Sequence, residues 1–146
     1  MKRFLLAAAF LLLWSLPGFA ESAVTITQPW ARATILISRP GVAYLTLQSA
    51  AADRLIALDT PVAEAVMIHA VENKDGVSHM MGMMALDLPA GQVVTLAPSV
   101  THLMLMGLKA KLVAGDSFAL TLHFEHAGAM TVEVPVLGIA AMGPGE

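Results

Sequence analysis

Ser117-Phe118-Ala119-Leu120-Thr121-Leu122-His123-Phe124-Glu125 alternates large apolar side chains with small or polar ones, and after Ala127-Gly128 the alternation resumes as Met130, Val132, Val134 and Val136. Successive side chains of a strand point to opposite faces, so each run offers one apolar face to a core. Two such runs with a glycine between them read as neighbouring strands joined by a turn. The same reading extends outward through the chain. Val24-Thr25-Ile26-Thr27, Ala43-Tyr44-Leu45-Thr46-Leu47 and Thr101 to Met106 alternate. Arg54 to Leu58, Ala65 to His69 and Gln92 to Leu96 are short apolar runs.

Turn-forming clusters punctuate these runs: Arg39-Pro40-Gly41, Asp59-Thr60-Pro61, Asn73-Lys74-Asp75-Gly76, Pro89-Ala90-Gly91 and Ala114-Gly115-Asp116. Gly supplies positive φ, Pro presets φ, and Asp and Asn bond their own backbone, so each cluster ends a strand. Beyond the first twenty residues no capped amphipathic helix appears, and Pro61 to Glu64 makes one short turn at most. Short strands at even spacing predict an all-β sandwich or barrel. The tail from Ala140 to Glu146, with Gly143-Pro144-Gly145, is expected to fray.

The chain has 146 residues, no cysteine, ten methionines, five histidines and a formal charge of −3, a length that suits one domain. Without cysteine there is no disulfide, no thiolate metal site and no blue-copper centre. Charged residues are only 13% and no basic run exists, which speaks against a nucleic-acid partner. Lys2 and Arg3 precede the apolar run Phe4 to Trp14, and Ser15-Leu16-Pro17 leads to Gly18-Phe19-Ala20. This is the pattern of a secretory signal peptide cut after Ala20. The run is too short to cross a bilayer, which takes about 20 residues, so the mature chain is not expected to insert stably in a membrane. No cysteine follows it to carry a lipid. The mature domain, residues 21–146, carries six Lys and Arg against eleven Asp and Glu.

His102 and Met104 lie two apart in an alternating run, so they share a strand face with Met106 while Leu103 and Leu105 take the core face. Imidazole beside thioether suits a soft cation such as Cu(I) better than Mg or Ca. An exposed His beside two packing Met is the plain alternative. His69 faces the same side as Met67. Met80 lies in His79-Met80-Met81-Gly82-Met83-Met84. In a regular strand Met80 and Met84 share one face and His79, Met81 and Met83 the other, unless Gly82 marks a bulge. A Met-rich packing strand is again the alternative.

His69, ten residues, Met80, twenty-one residues, His102, one residue, Met104: this spacing resembles the signature of the periplasmic copper chaperones called PCu(A)C. The flanks are similar too, at Pro29-Trp30-Ala31-Arg32-Ala33-Thr34, Asp53-Arg54-Leu55, Leu88-Pro89-Ala90-Gly91 and His102-Leu103-Met104-Leu105-Met106-Gly107-Leu108, and the resemblance covers most of residues 24 to 137. It implies a cupredoxin-like Greek-key β-barrel or sandwich that binds one Cu(I) through His69, Met80, His102 and Met104. It also implies a periplasmic location and copper delivery to a thiol-bearing acceptor, such as the copper subunit of cytochrome c oxidase or a Sco-type protein.

Two departures qualify the match. Met81-Gly82-Met83-Met84 stands where a basic residue and a proline are usual, adding sulfurs and His79 as extra donors. The tail offers only Met142, so a full second copper site of the kind some members hold in an extension is not expected. His123 and His126 read as solvated strand-end residues. No G-x-S-x-G, H-E-x-x-H or partnered carboxylate pair is present, which argues against an enzyme. Asp75, Asp87 and Asp116 sit at turn positions. A non-catalytic exported β-domain, or a passive copper buffer, stands as the alternative function.

Overall fold

The computed structural model describes residues 23–145. The signal-peptide assignment, with its cleavage after Ala20, lies outside the described residues. Ten strands follow in chain order: β1 (Val24–Arg32), β2 (Gly41–Ser49), β3 (Asp53–Asp59), β4 (Ala63–Lys74), β5 (Val77–Met83), β6 (Leu86–Leu88), β7 (Val93–Thr95), β8 (His102–Leu108), β9 (Ser117–Phe124) and β10 (Gly128–Leu137). Among the described residues there is no helix. The expected runs all appear as strands, and β6 is an addition that the turn signals around it had obscured. Asp87, expected in a turn, lies in β6 and pairs with Arg54 at 2.8 Å.

Two sheets enclose the core, which is the all-β, cupredoxin-like architecture expected from the sequence. The front sheet runs β5-β4-β8-β2-β1 with β7 beside β2, and the back sheet runs β10-β9-β3-β6. Strand β10 joins them. It pairs antiparallel with β9 from Gly128 to Pro135, then runs parallel to β1 through Val136 and Leu137. Alternation decides what lies between the sheets. Leu45, Leu47, Leu103, Leu105, Leu120, Leu122 and Val134 are all buried in one continuous core. Full burial of a Leu or Val side chain contributes about 1.5–3 kcal/mol, so these seven alone account for much of the driving force.

One irregularity matters for the outer face of the front sheet. Thr27 pairs with Thr46, but Trp30 pairs with Tyr44, so β1 carries one extra residue between them. Gln28 adopts φ 50° there. A single inserted residue reverses the parity of everything after it. Val24 and Ile26 therefore face the core, whereas Trp30 turns outward onto Tyr44.

That outward pair is covered by the tail. The rings of Trp30 and Tyr44 lie 4.4 Å apart between centroids, and Ala141 packs against them. Arg32 donates from Nε to the carbonyl oxygen of Ala141 at 2.7 Å and lies 5.8 Å from the Tyr44 ring centroid. The fraying expected of the tail is thus corrected at Ala141 and Met142: a buried aromatic pair and an arginine hold them down. Burial raises the Tyr44 hydroxyl pKa, and the nearby Arg32 charge opposes that shift.

Candidate metal centre

The site is built on three strands of the front sheet. Strand β4 pairs antiparallel with β8 so that His69 stands opposite His102, and Met67 opposite Met104. Directly paired residues of an antiparallel ladder share a face. Met67-Ile68-His69 and His102-Leu103-Met104 are mirror images in sequence, and antiparallel pairing lays one upon the other. Ile68 and Leu103 point together into the core, at 3% and 0% exposure, while the four His and Met side chains point outward.

The hairpin between β4 and β5 is closed by Asp75 and Gly76, at φ 54° and 77°, between the paired residues Lys74 and Val77. Two positive φ values in a two-residue loop make the turn whose twist suits a hairpin. That turn sets the register of seven unbroken pairs, including Val71 with Met80 and His69 with Gly82. Gly82 therefore marks no bulge. Val71 shares the face of His69, so Met80 and Gly82 lie on the site face, and His79, Met81 and Met83 lie on the reverse. Met84 falls just beyond the strand and is almost fully exposed.

The donors differ in how firmly they are held. Nδ1 of His69 meets Sδ of Met104 at 2.5 Å. The rings of His69 and His102 are 6.0 Å apart between centroids and nearly perpendicular, at 81°. His102 is buried and donates from Nδ1 to the carbonyl oxygen of Val100 at 3.0 Å. A carbonyl can only accept, so the proton sits on Nδ1 and the lone pair on Nε2. This is the backbone contact that orients ligating histidines in metal sites. On its far side the His69 ring lies over Gly82, where a β-carbon would stand 3.6 Å from Cδ2 and Nε2. Met80 is 58% exposed and stands diagonally across the ladder from His69, next in line beyond Gly82.

The structure thus brings His69, His102 and Met104 together and sets Met80 on the same face of the adjoining strand. Met67, opposite Met104 and exposed, is a further thioether at the margin that the sequence reading passed over as a donor. Its signal was the inverted repeat of Met-x-His against His-x-Met. Among the described residues no three His, Cys, Asp or Glu side chains gather around a common point, so His69 and His102 need sulfur to complete a donor set. Val42 pairs with Met104 and packs against the Trp30–Tyr44 cluster, which gives the site an apolar flank.

His123 and His126 lie elsewhere, and neither is simply solvated. Leu122 and Phe124 point into the core, so His123 faces outward from the back sheet, where its Nε2 meets Asp59 at 2.5 Å. His126 caps the buried carboxylate of Asp53 at 3.3 Å. Burial disfavours the Asp53 charge, but backbone N–H groups of His126, Arg54 and Ala127 outweigh it and lower the pKa.

Comparison with known proteins agrees with this architecture. A family model described as "LpqE-like: Putative lipoprotein LpqE-like" matches residues 24–136. "Putative lipoprotein Lxx21020" of Leifsonia xyli subsp. xyli is 28% identical over 121 residues, covering 82% of this chain and 73% of the relative. Among solved structures, the apo PCuAC domain of PmoF2 superposes with a TM-score of 0.71 at 28% identity, covering 83% of this chain and 94% of that one. The copper-bound form of that domain gives 0.69 at 26% identity, covering 82% and 97%. The Cu(I) form of DR1885 from Deinococcus radiodurans gives 0.61 at 28% identity, covering 77% and 78%. The match spans nearly the whole β-sandwich, and the chain belongs to the LpqE-like family, with the fold of the PCuAC domains.

Proposed function

We propose that this protein is an exported copper chaperone. It binds one Cu(I) through His69, Met80, His102 and Met104 and hands it to a thiol-bearing acceptor in the periplasm. The acceptor chemistry fits the copper subunit of cytochrome c oxidase or a Sco-type protein during oxidase copper-site assembly. The observation that carries the reading is the meeting of His69, His102 and Met104 on one sheet face, with Nε2 of His102 left free by the Val100 carbonyl. Copper-bound structures of related PCuAC domains support the metal. The secretory leader and the lipoprotein name of the Leifsonia relative support export, although this chain has no cysteine to carry a lipid.

Two imidazoles and two thioethers are neutral, soft donors. They favour Cu(I) over Zn or Mg, and over Cu(II) relative to sites with carboxylate or thiolate. A dithiol acceptor binds the same ion through charged sulfur, so transfer runs downhill to it. No residue in the chain is assigned a catalytic role.

Competition against a Cu(I) chelator tests the site. One copper per chain is expected, with large losses in His102→Ala and Met104→Leu, a loss in Met80→Leu, and none in His123→Ala. A loss in Met67→Leu with Met80→Leu unaffected would reassign the fourth donor. Transfer to a reduced dithiol domain should outpace release to a chelator of equal affinity. Equal rates would make the protein a passive copper buffer.

A further inference from the structure

The front sheet ends on β5 and the back sheet on β6. Strand β6 is three residues long and its exposed Asp87 pairs with Arg54, the short, charged kind of edge that resists pairing with other chains. Strand β5 has neither protection. Its seven residues, Val77-Ser78-His79-Met80-Met81-Gly82-Met83, are all exposed, run without a bulge and include no Lys, Arg, Asp, Glu or Pro. The outer part of the hairpin also lacks a third strand. The β4–β8 register stops at His69 with His102, so Ala70 to Lys74 pair with β5 alone. A two-stranded ribbon is marginal by itself in water.

The register also fixes which backbone groups are spare. In a two-residue hairpin the residues flanking the loop, Lys74 and Val77, exchange both hydrogen bonds, and bonded pairs alternate with unbonded ones along the ladder. Val77, His79, Met81 and Met83 therefore bond to β4. Ser78, Met80 and Gly82 turn their N–H and C=O groups to the free edge. These three are evenly spaced about Met80. A second β5 running antiparallel presents the same three outward residues, and one register alone satisfies them all: Met80 opposite Met80, and Ser78 opposite Gly82.

We propose that two copies of this chain pair antiparallel through their β5 edges, about a two-fold axis at Met80, and so continue the front sheet from one protomer into its partner. On the reverse face Met81 then stands opposite the partner's His79, and Met83 opposite the partner's Val77, so no like charges meet. On the other face Ser78 and Gly82 are small and leave room for the two Met80 side chains. Bonded antiparallel residues stand about 5.5 Å apart at Cα, so the partner's Met80 brings a second thioether beside Met80. That consequence for copper rests on the site proposed above, whereas the pairing does not. A contact of one strand with one strand is smaller than the roughly 1,600 Å² of a standard interface, so the dimer is weak and depends on concentration.

Sedimentation and amide exchange by NMR, on metal-free protein with a chelator present, test the pairing. Monomer is expected to give way to dimer between about 10 μM and 1 mM. Over that range the amides of Ser78, Met80 and Gly82 should slow in exchange by about tenfold or more. Ser78→Pro removes an N–H that the hairpin does not use and should weaken dimerisation by about tenfold or more, while Ser78→Ala keeps it. His79→Lys, which sets a charge opposite the partner's Met81 and beside its own Glu72, should weaken it as well. A monomer at every concentration would overturn the proposal. So would a dimer that forms with these three amides still unprotected, or one that Ser78→Pro leaves undiminished. None of these readings involves copper, so their failure leaves the metal site standing, and loss of copper binding in His102→Ala leaves the pairing standing.

Discussion

Nδ1 of His102 donates to the carbonyl oxygen of Val100 at 3.0 Å, two residues back along its own chain. The contact needs no side-chain partner. It is made because the chain turns just before β8, and it leaves Nε2 of a buried imidazole as the free lone pair of the sheet face. The same strand then separates two kinds of consequence. Its inward residues govern stability and its outward residues carry the proposed copper site.

Leu105 is fully buried and Met104, its neighbour, is half-buried on the other face. Leu105→Ala should cost about 2–5 kcal/mol of stability. Met104→Leu keeps the volume and should cost under about 1.5 kcal/mol, while Cu(I) affinity falls sharply. Urea denaturation and chelator competition on both variants check the division. Equal destabilisation by both would mean that Met104 is a core residue.

Gly82 lies under the His69 ring, and a β-carbon there would make ordinary contact at 3.6 Å. Gly82→Ala should therefore bind copper nearly as the parent does. Gly82→Leu puts a branched side chain across the path between His69 and Met80. It should lose copper affinity by about tenfold or more while the exposed hairpin stays folded. Circular dichroism together with Cu(I) competition reads both outcomes.

Asp53 accepts backbone N–H bonds from Arg54 at 2.7 Å, from His126 at 2.9 Å and from Ala127 at 2.9 Å. Its pKa is lowered in the folded protein, burial notwithstanding. A carboxylate with a lowered folded pKa adds stability above its unfolded value, about 3.9, and that stability is lost as pH falls through the folded value. Asp53→Asn should destabilise by about 1–3 kcal/mol at neutral pH. The difference from the parent should shrink in acid. Urea midpoints measured at neutral pH and in acid test this, and a gap independent of pH would refute it.

Trp30 is 4% exposed beneath the tail. It is the one tryptophan among the described residues, Trp14 lying outside them. Ala141→Asp forces a charge against the Trp30–Tyr44 pair and should lift the tail. The expected result is a red-shifted Trp30 emission with the core strands intact. Unchanged emission would show that the aromatic pair is sheltered by the sheet alone.

Much of this protein was legible in its chain order. Alternation along Ser117 to Phe124 and Thr101 to Met106 already separates an inner from an outer face, because side-chain period two is a local property of extended backbone. Asp75-Gly76 likewise sets the β4–β5 register by itself, since a two-residue loop permits only one pairing, and from it follow the faces of Met80 and Met81. What the tertiary structure decided was which outer faces meet. Strand β8 lies between β4 and β2 although both are distant from it in sequence, and only that pairing sets His69 against His102 and Met67 against Met104. The bulge at Gln28, which turns Trp30 outward, and the docking of Ala141 on it also depend on partners many residues away. Local pattern carries parity, but long-range hydrogen bonding chooses neighbours, and the proposed metal centre, drawn from three strands, is a matter of neighbours.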